Sequence, residues 1–528
     1  MRPRLAVILS VVLIALVGAR ASFGPEERIA FLFYDDAYYY LGVARHLAAG
    51  DGSTFDGLHA TNGYHPLWCA ALVPVVAAVR DPGHAVRAVG AIWFLLAAAV
   101  PAVAWWALRR RFGDGTAAIA SALVALQPWI ALSLARPNGL ETPLYALLIL
   151  AAIGAADRIL LAAPPPSVAR CAALGALLGI CVLARLDGGF LAAAVAIVAM
   201  VAGGRAWGWR GALARVAALA IAASAIAGPS LVWNEIRFGS PLPISGRAIA
   251  LEAARERAEL GGATSARTAA RRIRYAAAEI PASIVRRALL GVPRAGRIAS
   301  GGAAGLAALA VVVASAIAVG IRARKLRPVA PGDPAAILTL FAALHYAAYA
   351  AWLWTPGEDS YRIYYFFPEL LAIGVLASVG LARLKPRLAP LGLALLAGHL
   401  VVESERSLDR LNAKPGSVAD RFIYGWIKAN VPPGTVLGAR DAGKLGWFSG
   451  CPVINLDGLI NDDRFLAVLA GGTEGAYVCD SPIRFLFIDR PYLGEFLAGL
   501  ERTAGCGFRD LDPTTVDWAV LEVERGAR

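Results

Sequence analysis

Residues 33–68 read FYDDAYYYLGVARHLAAGDGSTFDGLHATNGYHPLW, and where this stretch lies decides the fold. It opens at the end of the first hydrophobic segment with two adjacent carboxylates, Asp35 and Asp36. Tyr40, Leu41, Ala44 and Leu47 then recur at helical spacing, and Gly50-Asp51-Gly52 breaks the run. A block of polar and aromatic groups follows, Thr61-Asn62-Gly63-Tyr64-His65-Pro66. An Asp ahead of a helix suits an N-cap and the positive end of the helix dipole. One cap consumes one carboxylate, so the pair leaves an acid for a general base or for a divalent-cation ligand. Tyr34, Tyr38, Tyr39 and Tyr40 suit an interfacial aromatic belt, and beside acids they also suit stacking on a sugar.

The rest of the chain places this stretch at a membrane. Of 528 residues, 58% are hydrophobic and 17% charged, with a mean hydropathy of +0.59. Soluble domains average about 45–50% apolar and about 25% charged. Apolar runs fall at 5–18, 88–108, 116–135, 141–160, 169–185, 187–204, 211–233, 302–321, 335–354, 364–382 and 387–402. Each approaches the roughly 20 residues that a crossing helix needs. The apolar segment 66–80 is short and carries Pro74 in its middle.

Charge decides how 66–80 is counted. If it does not cross, Arg109-Arg110-Arg111, Arg158, Arg170, Arg205, Arg210, Arg215, Arg322-Arg324-Lys325-Arg327 and Arg383-Lys385-Arg387 share one side with Arg2 and Arg4. The positive-inside rule requires that arrangement. The expected topology is therefore eleven crossings, with 66–80 in or against the outer interface and the C-terminus outside. The net charge of +13 then reflects cytoplasmic loops and lipid headgroups, not nucleic acid. Ala-, Gly- and Arg-rich usage suggests a GC-rich bacterial genome, and hence the bacterial inner membrane.

On this map the residues fit for chemistry gather outside. They are Asp35, Asp36, Asn62, Tyr64 and His65 in the first outer loop (22–87), then Arg136-Pro137-Asn138-Gly139-Leu140-Glu141, Arg185 and Arg237, with Tyr361 and Arg362 farther on. Asp187 stands where it can simply pair with Arg185. The long outer loop, 235–300, holds 12 arginines and no lysine; it reads either as a surface-lying helix pair or as a basic collar for lipid phosphates. The sequence contains no GxxxxGK[ST], no strand-to-helix GxGxxG, no HExxH and no GxSxG, which argues against ATP-driven transport, zinc hydrolysis and α/β-hydrolase chemistry.

From residue 403 the composition turns mixed. Strand-like runs at 435–439, 452–456, 485–488 and 518–523 alternate with helical patterns at 419–430, 462–470 and 493–504. Residues 1–402 are thus expected as the transmembrane domain and 403–528 as an extracytoplasmic α/β domain. Cys451, Cys479 and Cys506 would form one disulfide there, with the pairing left open. The turns Asp441-Ala442-Gly443-Lys444-Leu445-Gly446 and Asn455-Leu456-Asp457-Gly458 read as structural connections, with acceptor binding as the other reading.

The layout resembles the GT-C superfamily of polytopic membrane glycosyltransferases. Asp35-Asp36, the 37–50 helix and His65-Pro66-Leu67-Trp68 carry the resemblance. The Thr-Asn-Gly-Tyr-His-Pro-Leu-Trp block and Asn138-Gly139-Leu140-Glu141-Thr142 look most like its bacterial arabinofuranosyltransferase-like branch. Protein O-mannosyltransferases, which are related, carry Asp-Glu instead. The resemblance covers roughly residues 1–400. It implies an inverting transferase that takes a sugar from a polyprenyl-phosphate donor to a glycan, lipid or protein acceptor among membrane lipids. Asp35 or Asp36 would be the base, with Mg or Mn as a candidate ion on the pair. His65, Tyr64, Asn62, Arg136, Asn138, Glu141, Arg185, Arg237, Tyr361 and Arg362 would be candidate donor contacts. A prenyl phosphate leaves readily, so the chemistry needs a base for the acceptor hydroxyl and cations for the departing phosphate. The alternatives are a lipid-linked-sugar flippase, which would place ionisable residues at mid-bilayer, and an inactive assembly partner.

Overall fold

In the computed structural model, the described residues are 3–24, 30, 32–161, 165–259, 280–281, 284, 330–352, 363–384, 389–413, 415–511 and 518–525. The helices run α1 (Pro3–Ser22), α2 (Asp35–Ala49), α3 (Pro66–Ala78), α4 (Pro82–Phe112), α5 (Asp114–Leu126), α6 (Pro128–Ala135) and α7 (Thr142–Leu160). After them come α8 (Val168–Ala184), α9 (Gly188–Trp207), α10 (Trp209–Phe238), α11 (Ile244–Glu259), α12 (Pro334–Trp352), α13 (Phe367–Leu384) and α14 (Ala389–Ala413). Ten of the eleven apolar runs fall on these helices, and 302–321 lies outside the described residues. Among the described residues, six helices are long and apolar enough to cross a membrane, or seven with α5 and α6 taken as one span bent by 49°. The bend falls at Gln127-Pro128, where proline cannot continue the hydrogen-bond ladder. The chain is a polytopic helical membrane protein.

Ion pairs sort the helix ends. Arg4 at the start of α1 meets Asp114 at the start of α5 (3.1 Å), and Arg111 at the end of α4 meets Asp333 ahead of α12 (2.7 Å). Arg110 donates to the Arg158 carbonyl at the end of α7, and Arg215 in the first turns of α10 donates to the Pro166 carbonyl before α8. Arg4, Arg110, Arg111, Arg158 and Arg215 thus share one end of the bundle, and Glu141 and Arg185 lie at the opposite helix ends; the basic residues at 322–327 lie outside the described residues.

Helix α3 has 13 residues, a length of about 20 Å against a hydrocarbon core of about 30 Å. It is too short to cross, as expected of 66–80. It buries Trp68, Cys69, Leu72 and Val76, and it packs beside α2.

Beyond α14 come α15 (Pro415–Asn430), β1 (Leu437–Ala439), α16 (Gly443–Phe448), β2 (Val453–Asn455), α17 (Asp463–Gly471), α18 (Glu474–Asp480), β3 (Phe485–Asp489), α19 (Leu493–Glu501), β4 (Gly507–Asp510) and β5 (Trp518–Glu524). The sheet order is β2-β1-β3-β5-β4, parallel across β2, β1 and β3 and antiparallel for the last two pairings. Side chains alternate between its faces. Leu437, Val453, Phe485, Phe487 and Val520 join the core that contains α2, α3 and α15. Ile454, Leu486, Ile488 and Leu521 join the core under α17 to α19. Four strands and three helices match the expected runs, while β4, α16 and α18 are additions. Cys479 and Cys506 form the disulfide, and Cys451 is a buried free thiol.

Of the arginine-rich loop, α11 is described. Its Arg247 pairs with Asp463 and its Arg255 with Glu474, so these two hold α11 onto the α/β domain. Residues 260–279 and 285–300 of that loop lie outside the described residues.

Candidate active site

Helix α2 is the piece on which the site is assembled. Side chains four apart share a helix face, and Asp35 and Tyr39 both turn to the α/β domain. The Asp35 carboxylate accepts the backbone N–H of Gly443 at Oδ2 (2.7 Å) and that of Lys444 at Oδ1 (2.8 Å). The N-cap expected from an Asp is therefore corrected. Tyr34 is the N-cap of α2, with no capping bond from its side chain, and both acids fall in the first turn, where the helix dipole still favours them. Asp35 instead binds the first amides of α16, 408 residues on. Burial raises the Asp35 carboxyl above the usual carboxylate range; the Lys444 and Gly443 amides and the Lys444 charge oppose that rise, and Asp441 adds to it.

Tyr39 extends the same seam. Its hydroxyl accepts from Asn455 Nδ2 (3.1 Å) and lies 3.3 Å from both the Arg440 carbonyl and Asp457 Oδ2. Arg45 donates to the Gly446 and Trp447 carbonyls and stacks over the Trp447 ring. Asp36 is half-buried beside this seam, and its charge acts on Tyr39 and Asp457.

The opposite face of α2 meets the helix ends of the bundle. Tyr40 donates to Glu141 Oε2 (3.0 Å) and accepts the His65 amide (3.3 Å). Glu141 Oε1 takes the Arg185 guanidinium (3.1 Å), which also binds Asp187 (2.9 Å). Asp187 accepts the Tyr349 hydroxyl (2.6 Å) and faces His345 at 3.7 Å; His345 meets Glu369 at 2.8 Å. Glu141, Asp187, His345 and Glu369 are all buried. This ladder ties α2 to α7, α8, α9, α12 and α13. The 138–141 turn lies directly against α2. Asn138 accepts the Tyr34 amide, Trp68 and Trp93 donate to the Gly139 and Leu140 carbonyls, and a Cβ at Gly139 (φ +73°) would sit 2.7 Å from Phe33 and Ala37.

Not every candidate from the sequence joins this site freely. Arg185 pairs with Asp187, as their spacing suggested, and also with Glu141, which the sequence did not suggest. Tyr64 bonds Ser53 (2.7 Å) and holds its own loop. Asn62 Oδ1 accepts the Ile244 amide at the start of α11. Asn138 bonds Thr142 and the Leu140 amide within its turn. Arg136 is half-buried with the neutral Ser407 hydroxyl as its partner among the described residues. Arg237 is exposed, and Tyr361 and Arg362 lie outside the described residues. Among the described residues, Asn62 Nδ2 and His65 Nδ1 are buried polar atoms without a hydrogen-bond partner. Burial lowers the His65 pKa, which keeps that ring neutral. No group of three or more His, Cys, Asp or Glu among the described residues could hold a metal ion, and Asp35 has both oxygens on amides. A Mg or Mn ion on the acid pair would meet an Asp35 carboxylate whose two oxygens already accept amides.

Residues 415–501 match a domain of unknown function (DUF8728). No curated protein matches the sequence. Solved structures do. The chain is similar to ArnT from Cupriavidus metallidurans in the apo state, at 16% identity and TM-score 0.58, covering 97% of both chains. It is also similar to the same protein bound to undecaprenyl phosphate, at 15% identity and TM-score 0.52, covering 98% of both. A third likeness is to the archaeal oligosaccharyltransferase AglB from Archaeoglobus fulgidus, at 13% identity and TM-score 0.51, covering 97% of this chain and 74% of that one. The likeness runs over nearly the whole chain, which therefore shares its fold with ArnT and AglB.

Proposed function

We propose that the protein transfers a sugar from a polyprenyl-phosphate donor to a hydroxyl of a glycan, lipid or protein acceptor. One acid of the Asp35–Asp36 pair takes the acceptor's proton. The acceptor oxygen then bonds to the sugar's anomeric carbon from the face opposite the phosphate, the carbon–phosphate oxygen bond breaks, and the configuration inverts. The lipid leaves as its monophosphate. The carrying observation is the acid pair at the start of α2, set at the bundle end opposite the basic clusters and covered by the α/β domain, in a chain aligned over nearly its whole length with ArnT.

Two further features support a lipid-linked donor. A cavity of about 160 Å³ between α1, α6 and α14 is lined by Val17, Leu134, Ala135, Val401 and Leu408, with the Arg20–Glu405 ion pair among its lining residues. Arg136, next to Ala135 in the chain, has a neutral partner, and it is the arginine best suited to a departing phosphate. Orientation follows the same reading. The basic end faces the cytoplasm of a bacterial inner membrane, which leaves the α/β domain and its disulfide in an oxidising compartment. The domain split at residues 402/403 is part of the proposal. Purified protein incubated with a panel of polyprenyl-phosphate sugars and mixed envelope acceptors should consume one donor and release polyprenyl phosphate. If every donor survives, or is consumed equally by a variant lacking both acids, the proposal fails.

A further inference from the structure

We propose that the Arg440–Gly446 turn of the α/β domain is a wall of the active site, and that Gly443 and Lys444 are positioning residues for the Asp35 carboxylate. The inference rests on the reading of Asp35–Asp36 as the acid pair of the transfer, and it adds a role for the C-terminal domain that the fold alone does not supply.

Four observations carry it. Both Asp35 oxygens are fixed by amides of the turn, at 2.7 and 2.8 Å, so the plane of the carboxylate is set by the domain and not by α2. Each oxygen keeps a second lone pair, which leaves room for an incoming hydroxyl. Position 443 tolerates only glycine without movement, because a Cβ there would lie 2.2 Å from the Asp35 carbonyl oxygen and 2.8 Å from its Oδ2. The contact is also not isolated. Tyr39, one helical turn along α2, meets the Arg440 carbonyl, Asn455 and Asp457, and Arg45 meets the carbonyls of Gly446 and Trp447. Three positions of α2 thus dock on one turn and its neighbour. Arg440 is exposed and Lys444 is half-buried at this edge, where a charged substrate would approach.

The turn also sets basicity. Amide donors and a nearby cation favour the ionised carboxylate. The groups around Asp35 are Asp441 and Lys444 of the turn, Asp36 and Tyr39 of α2, and Asp457 after β2. Removing the Lys444 charge leaves the amide in place and takes away an interaction that lowers the Asp35 pKa, so the acid limb of the pH–rate profile should move to higher pH. A contact that served only to fold the domain would lower activity without moving that limb.

Two measurements test this. The first needs no donor. Thermal unfolding in detergent is compared for Asp35→Ala, Gly443→Ala and the double variant. The contact predicts that the double variant loses clearly less than the sum of the singles, and additive losses overturn the inference. The second uses the donor identified for the wild type. Gly443→Ala should lower kcat roughly tenfold or more with little change in the donor's KM. Lys444→Met, which leaves Gly443 and the turn's backbone unchanged, should move the acid limb to higher pH. An unmoved limb in Lys444→Met overturns the role of the turn. A wild type that consumes no donor, with coupling still present in the first measurement, defeats the transferase reading and leaves the contact standing.

Discussion

The two faces of α2 are anchored by different chemistry. Toward the helix bundle, Tyr40 enters a buried ladder of opposite charges, Glu141, Arg185 and Asp187, with His345 and Glu369 beyond. Toward the α/β domain, Asp35 is held by backbone amides and Tyr39 by a carbonyl, an amide side chain and an acid. A buried ion pair adds little net stability but is costly to break, because the surviving partner stays buried and unpaired. Amide contacts are less sensitive to side-chain identity, provided the backbone can approach. The bundle face therefore fixes geometry through specific residues, whereas the domain face does so through the path of one turn. That contrast suits a site in which the bundle is the rigid base and the domain is the part that aims the acid.

Breaking the bundle face should have the largest effect. Arg185→Ala leaves Glu141 and Asp187 buried without the guanidinium that balances them and should cost about 3–5 kcal/mol in thermal unfolding. A loss below about 1 kcal/mol would mean that the ladder is not a unit. Tyr39→Phe removes the hydroxyl shared by Asn455, Asp457 and Arg440 and should cost about 1–3 kcal/mol. Its loss should be smaller than that of Arg185→Ala. Tyr40→Phe removes the hydrogen bond to Glu141, which keeps Arg185, and the acceptor of the His65 amide, and should cost about 1–2 kcal/mol.

The smallest effect is a slope with pH. Burial first, then the charges of Asp441 and Asp36, push the Asp457 carboxyl from 3.8 up to about 8. A folded value above the unfolded one means that the folded chain retains a proton the unfolded chain has lost. The stabilising share of Asp457 is therefore full below about pH 4, declines as pH rises, and is gone above about pH 8. Asp457→Asn should unfold with a flatter pH dependence across that window, seen as a rising difference in melting temperature from wild type. A constant difference would contradict the assignment.

Much of this was legible in the chain. Hydrophobic runs of near-crossing length and flanking arginines marked the helices, because bilayer thickness and backbone hydrogen bonding leave little choice. The acid pair stood out since two carboxylates beside a membrane exceed the needs of one cap. Other features were hidden for stated reasons. The 408 residues between Asp35 and Gly443 put their contact beyond any local pattern. Glu141 is 44 residues from Arg185, so the arginine's second carboxylate was hidden, although Asp187 beside it was not. Strand β4 is an exposed edge strand with little apolar alternation, and α16 and α18 are too short to show a period.

The central claim is that this acid pair, aimed by the α/β domain, performs glycosyl transfer at the bundle end. The most direct test is release of polyprenyl phosphate from a polyprenyl-phosphate sugar by purified protein, compared among wild type, Asp35→Asn, Asp36→Asn and the double variant, each shown to be folded. The account predicts release by wild type, a loss of roughly a hundredfold or more in at least one single variant, and none from the double variant. Undiminished release by the folded double variant would contradict it.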